Sequence, residues 1–321
     1  MNTISIYTLK VLRKLYYKCS GSKKATKPNS EQDPDKAAQI IFNALISDKP
    51  CMIARFGANE MSCLENYLGV KTQQNRIMDY IMGVTKSWWW EPNIIKAMQN
   101  GAGFFPAKAD KIEQFCTLMI EDMSEVNILG SWLPDERLFA QELKNCHKIK
   151  LQLLNPYFSK TPWTQALESK KVLVIHPFAR TIEQQYKKRE LLFKGNLLPQ
   201  FDLITIQAVQ SIAGSPTGFS DWFEALDFMK AEIDKQDYDI CLIGCGAYGF
   251  PLAAHVKRRG KKGFHLGGSL QLLFGISGKR WENENYNSQY NYAKLINEHW
   301  VKPSDEEKPE GANNVESACY W

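Results

Sequence analysis

The chain predicts an α/β fold built on a mostly parallel sheet with helices on both faces. Three observations carry that expectation. From Lys170 onward, short apolar runs alternate with helix-period segments, as they do when strands and crossover helices succeed one another. An earlier strand-turn-helix passage lies at 50–67. Finally, the apolar run Tyr238-Asp-Ile-Cys-Leu-Ile243 opens into Gly244-Cys-Gly246-Ala-Tyr-Gly249 and then a helix-like segment ending at Gly260, so glycines stand between a strand and a helix. Bare backbone there lets a ligand come close, and the helix end offers unpaired N–H groups to an anion.

Taken in order, residues 8–18 have helical spacing, with Lys10, Arg13, Lys14 and Lys18 sharing one face and Leu9, Leu12, Leu15 and Tyr16 largely opposite. Two readings stand: a basic amphipathic helix on an anionic membrane surface, or a solvated tail. Gly21 to Pro34, rich in Ser, Lys and Pro, reads as a linker, so 1–33 forms a basic N-terminal segment and 34–321 a single domain. Asp35 to Ser47 is helical in pattern, Pro50 to Phe56 a buried strand, and 59–67 a helix. A largely helical middle section follows, with Trp88-Trp89-Trp90 read as packing before Pro92, a turn at Gly101–Gly103, and a strand over 125–130. Then come strand 171–176, helix from Thr181, strand 202–207, helix 219–235, strand 238–243, helix 250–259 and strand 262–266. Residues 301–314 read as a charged tail.

Composition limits the functions open to this chain. Its 321 residues carry a net charge of +5, but residues 1–30 hold seven Lys or Arg and no Asp or Glu. The body is therefore close to neutral, which argues against broad nucleic-acid binding. Eight scattered cysteines without C-x-x-C spacing argue against a zinc ribbon or a dense disulfide framework, and read as reduced and mostly buried. Neither a membrane span nor a signal peptide is evident, so a cytoplasmic protein is expected, peripheral at the inner face of the membrane if residues 8–18 dock there.

By this reading three strand ends meet at one edge, where ligands of open α/β sheets bind. The first offers Arg55, Gly57 and Glu60; the second His176, Arg180 and Thr181; the third the Gly244–Gly249 turn. Arg and Gly with a carboxylate three residues on suit a pyrophosphate and a divalent metal held by Glu60; Glu60 equally suits a helix first turn. His176, restrained by Pro177, suits a general base, a phosphate donor or a structural histidine. Asp135 and Glu136, after Trp132-Leu133-Pro134, form a further acid pair, and Trp132, Trp163 and Trp281 are candidates for stacking on a sugar or base. The literal G-x-G-x-x-G spacing lacks the acidic residue that dinucleotide sites place about 20 positions on; the chain there reads Phe264-His265-Leu266-Gly267-Gly268. A nicotinamide oxidoreductase is thereby disfavoured.

The Arg55-Phe56-Gly57-Ala58-Asn59-Glu60 turn resembles the Arg-x-Gly-x-x-Glu element of bacterial glycosyltransferases with the GT-D fold. The run Gly244-Cys-Gly-Ala-Tyr-Gly-Phe-Pro-Leu-Ala-Ala-His255, continuing from His265 to Trp281, is similar to such proteins from cell-surface polysaccharide (capsule and lipopolysaccharide) biosynthesis. The resemblance covers about residues 35–321. It implies a Rossmann-like fold, a nucleotide-diphosphate sugar donor, a glycan or lipid-linked acceptor and a divalent cation, Mn or Mg. It also implies that Arg55 neutralises the diphosphate, that Glu60 holds metal or orients the donor, and that Gly244, Gly246, Ala247, Tyr248, Gly249, His265, Gly267 and Gly268 cradle the nucleotide. Where the family carries Asp-x-Glu, this chain has Ala58-Asn59-Glu60, so the first acid is absent and Asp135 is a possible substitute. The missing acid leaves open a noncatalytic nucleotide-sugar or polysaccharide-binding scaffold of a membrane assembly complex.

Overall fold

In the computed structural model, which describes residues 3–21, 26–72, 76–287, 289–309 and 319–321, seven parallel strands form one sheet. In chain order these are β1 (Cys51–Ala54), β2 (Ile128–Ser131), β3 (His147–Lys150), β4 (Lys171–His176), β5 (Asp202–Gln207), β6 (Ile240–Ile243) and β7 (Lys262–His265). Their order across the sheet is β3-β2-β1-β7-β6-β4-β5. Strands buried on both sides need apolar residues throughout, and β1, β6 and the Val172–Ile175 stretch of β4 have them. Alternate residues then serve two cores: Met52 and Ala54 face one, Cys51 and Ile53 the other.

The first core is covered by α3 (Ala58–Thr72), α5 (Pro92–Ala102), α6 (Ala109–Met123), α9 (Trp222–Asp234) and α10 (Gly249–Arg258). The second is covered by α2 (Pro34–Ile46), α7 (Ala179–Tyr186), the single turn α8 (Arg189–Leu192) and the short α11 (Leu270–Leu273) and α12 (Lys279–Glu282). Local chemistry fixes several starts. Asp33 accepts from the N–H groups of Asp35 (2.9 Å) and Lys36 (3.1 Å) ahead of Pro34, and Asp221 accepts from Phe223 and Glu224, both at 2.9 Å. Connections leave β1 and β6 toward the first face and β4 and β7 toward the second. A crevice therefore opens at the carboxyl ends of these four neighbouring strands.

The N-terminal segment differs from the expected basic-face helix. Its helix α1 (Thr3–Ser20) lies against α4 (Ile77–Ile81), with Leu9 buried, Lys10 paired to Glu91, and the Arg13 guanidinium 4.6 Å from the Tyr80 ring centre. Because Glu91 and Tyr80 supply partners for cations, Lys10 and Arg13 turn inward with Leu9, leaving Leu12, Leu15 and Tyr16 exposed. The segment called a linker also joins the sheet: Glu31 pairs beside β3, its N–H donating to Lys148 O (2.9 Å) and its carbonyl accepting from Lys150 N (3.0 Å). Residues 22–25 of that segment, and 310–314 of the charged tail, lie outside the described residues. Among the described residues no helix is long and apolar enough to cross a membrane.

Candidate functional site

Four strand ends deliver the site. The buried run of β1 forces the chain out of the sheet at Arg55, and the next turn starts α3 with Glu60 in its first turn. Burial holds the Glu60 carboxyl above its usual range, with the Arg55 charge pulling it back; burial likewise lowers Arg55, opposed by Glu60. The Glu60 carboxylate folds back over Gly57 so closely that a Cβ there would overlap it, so a side chain at this position would displace the carboxylate.

Arg55 is held from two further directions. Its guanidinium lies 5.6 Å from the Trp132 ring centre, and its stem passes over Gly267 at the end of β7. Trp132 is itself fixed: its indole N–H donates to Phe56 O at 3.0 Å. The fully buried Glu136 anchors the same loop, accepting from Trp132 N (2.8 Å), Leu133 N (2.9 Å) and the Ser131 hydroxyl. Of the expected acid pair, then, Glu136 is a positioning group, and Asp135 does not line the cavity, lying 3.9 Å from Lys86.

His176 ends β4 and His265 ends β7; both are buried, and burial pushes each imidazole down to about 3. For His265 the Arg55 charge adds to the effect. His176 Nδ1 accepts the Phe178 N–H at 3.0 Å, which places the remaining proton on Nε2. Both rings are neutral at pH 7 and therefore poor proton acceptors. They also explain two glycines: a Cβ at Gly244 would meet the His176 ring and one at Gly249 the His265 ring. The hydroxyl of Tyr248 is committed as well, since Ser211 donates to Gly103 O (2.6 Å), leaving Tyr248 to donate to Ser211 (3.0 Å).

These ends enclose a cavity of about 410 Å³. Of the residues expected from sequence, Arg55, Gly57, Glu60, His176, Gly244, Gly246, Tyr248, His265, Gly267 and Gly268 line it. Three do not. Ala247 and Gly249 are buried behind the wall. Arg180 is exposed, paired with Glu306 at 2.9 Å, because the C-terminal segment packs on the start of α7. There the buried Glu307 accepts from Arg180 N (2.9 Å), Thr181 N (3.3 Å) and the Thr181 and Ser304 hydroxyls.

Sequence reasoning assigned no role to Arg280, which reaches the cavity from α12. Its guanidinium lies 4.8 Å from the Tyr320 ring centre and donates to the Tyr320 hydroxyl at 3.2 Å. Tyr320 is anchored through its carbonyl by the buried Gln271 (3.1 Å), and with Trp321 and Tyr286 it completes the wall. A second, smaller cavity of about 90 Å³ shares Arg55, Arg280, Gly268, Tyr286 and Tyr320 with the first. The only signal for Arg280 in sequence is its nearness to Gly278, two residues before it.

Among the described lining residues Glu60 is the only carboxylate, facing two guanidinium groups and two neutral imidazoles. The cavity thus brings two guanidinium groups and one buried carboxyl to the carboxyl edge of the sheet. No group of three His, Cys, Asp or Glu is assembled among the described residues; Glu60 alone would hold a Mg or Mn ion only together with waters and substrate phosphates. Comparison with protein-family models, characterised proteins and solved structures gives no match. The class defined here is thus a Rossmann-like α/β protein with a cleft at the carboxyl edge of its sheet, lined by Arg55, Glu60 and Arg280.

Proposed function

We propose that the protein is a glycosyltransferase moving a sugar from a nucleoside-diphosphate donor to a hydroxyl of a glycan or lipid-linked acceptor. One observation carries the reading: Arg55 and the buried Glu60 from the β1–α3 turn and Arg280 from α12 face one cavity of a size that suits a small-molecule substrate. As the glycosidic bond to the donor breaks, its electron pair passes to the diphosphate oxygen, and negative charge grows there. Planar guanidinium groups already fixed by Trp132 and Tyr320 oppose that charge without reorganising. The acceptor oxygen attacks the anomeric carbon and its proton goes to Glu60. Burial raises that carboxyl toward working pH, as a general base requires. The histidines, held near 3, leave Glu60 as the acceptor group for that proton. Tyr286, Tyr320 and Trp321 supply apolar faces for the base or sugar.

Glu60→Gln tests the assignment. Release of nucleoside diphosphate from the donor is expected to stop while Tm stays near wild type, and retained turnover removes Glu60 from the chemistry. A panel of nucleotide sugars in a thermal-shift assay separates the classes: stabilisation with turnover supports the transferase, and stabilisation without nucleotide release supports a noncatalytic scaffold.

A further inference from the structure

We propose that the outward face of α1, together with the α4 turn, is a docking surface for an anionic lipid bilayer. The side of α1 turned to the body carries Leu9, Arg13 and Tyr17, with Tyr17 against Gly83 just after α4. The opposite side carries Ile4, Tyr7, Val11 and Leu15 at three- and four-residue steps, a single apolar stripe facing solvent. Ile77, Met78, Met82 and Val84 are further exposed apolar residues in and just after α4, the helix that α1 packs against. Exposure reaches 78% at Ile4, 64% at Met78 and 69% at Val84, values at which such side chains cost solubility unless something covers them.

Charge selects the occupant. Lys14 and Lys18 are exposed on the same side of α1, and residues 1–30 contain no acid to neutralise them. A parallel twofold pairing of this face would bring those like charges together, and an antiparallel one would leave Lys14 and Lys18 against the apolar Ile4 and Tyr7 of the other copy with no acidic partner from residues 1–30. An anionic bilayer instead takes the apolar stripe into its interface and the lysines at its headgroups, the arrangement of a helix lying in the membrane plane. The stripe from Ile4 to Leu15 is roughly 16 Å long at 1.5 Å per residue. The docked face connects to the cleft through α5, which begins beside the Lys10–Glu91 pair and ends at Ala102 in the cavity wall. Docking stands independently of the transfer reaction; on that reading, it would bring a lipid-linked substrate within a helix length of Glu60.

The test is co-flotation of the full chain with vesicles of phosphatidylcholine alone or with 30 mol % phosphatidylglycerol, roughly the anionic content at which the surface potential attracts basic segments. Partition onto the anionic vesicles is expected, falling with salt and at least about tenfold weaker on neutral ones. Lys14→Glu with Lys18→Glu, and separately Val11→Asp with Leu15→Asp, are each expected to cut it by about tenfold or more with unchanged circular dichroism and Tm. No flotation of wild type, or flotation that neither double variant weakens, overturns the proposal. A concentration-dependent dimer lost in Val11→Asp with Leu15→Asp, without vesicle binding, overturns it in favour of a second copy. Nucleotide-induced thermal shifts measured on the same variants report on the cleft separately, so the two readings fail independently.

Discussion

Acidification from pH 7 to 5 is expected to destabilise the protein chiefly through His176 and His265. Each imidazole falls from an ordinary 6.5 to about 3 on folding, so the unfolded chain binds the extra protons. The stability associated with each neutral ring is present above 6.5 and is lost as pH falls toward 3. Over the interval from pH 7 to 5 linkage gives about 2 kcal/mol per ring. Asp122 works the other way. Burial lifts it from 3.8 to about 6 although Arg258 lies 2.6 Å away, so its protonation returns about 1 kcal/mol over the same interval. Glu60, raised by burial as well, acts in the same direction as Asp122, so the two rings' loss of about 4 kcal/mol is an upper bound on the net change over this interval. The assay is urea denaturation of wild type, His176→Asn and His265→Asn at both pH values. Either variant loses stability at pH 7 through packing, but its difference between the two pH values should shrink by about 2 kcal/mol, since all other groups cancel in the comparison. Variants that keep the wild-type difference would refute the assignment of neutral, buried rings.

Arg280→Ala is expected to weaken nucleoside-diphosphate binding about tenfold or more by calorimetry, the scale of a lost charge-assisted hydrogen bond, while Arg180→Ala leaves it unchanged because that side chain faces Glu306. Gly57→Ala places a methyl group against the Glu60 carboxylate; turnover should fall as far as in Glu60→Gln, with a stability cost of about 1–3 kcal/mol in a denaturation midpoint. Glu307→Ala removes the acceptor shared by Arg180 N, Thr181 N and two hydroxyls, and should cost about 1–3 kcal/mol by the same measurement.

The apolar strands announced themselves: the buried β4 and the half-exposed edge strand β5 coincide with the runs at 171–176 and 202–207, and the other expected strands shift by up to three residues at their ends. The edge strand β3 was not legible, because His147-Lys-Ile-Lys150 buries only Ile149 and reads as a solvated segment. In the site, Arg55, Gly57 and Glu60 were legible because they share one turn. Arg280 was not, since its partners at Tyr320 and across the cleft at Arg55 are joined by tertiary packing that no local spacing encodes. A glycine in sequence shows that something approaches the backbone closely and says nothing of what. At Gly244 and Gly249 it is an imidazole of the chain itself.

That substitution changes where an anion can be held. In a glycine-rich turn the usual donors are backbone N–H groups at a helix start. Here the start of α3 already faces Glu60 and the start of α7 already holds Glu307, so two of the helix ends at this edge carry carboxylates of their own. The turn before α10 retains only Gly246 as an exposed position, its neighbours packed against His176 and His265. Negative charge entering the cleft must therefore be met by side chains. With both histidines neutral, the cationic side chains lining the cleft are Arg55 and Arg280, which border both cavities. On the proposed transfer reaction, a phosphate held by Arg55 would lie near Glu60, which follows it in the same turn, and this would set the proposed proton acceptor close to the bond that breaks.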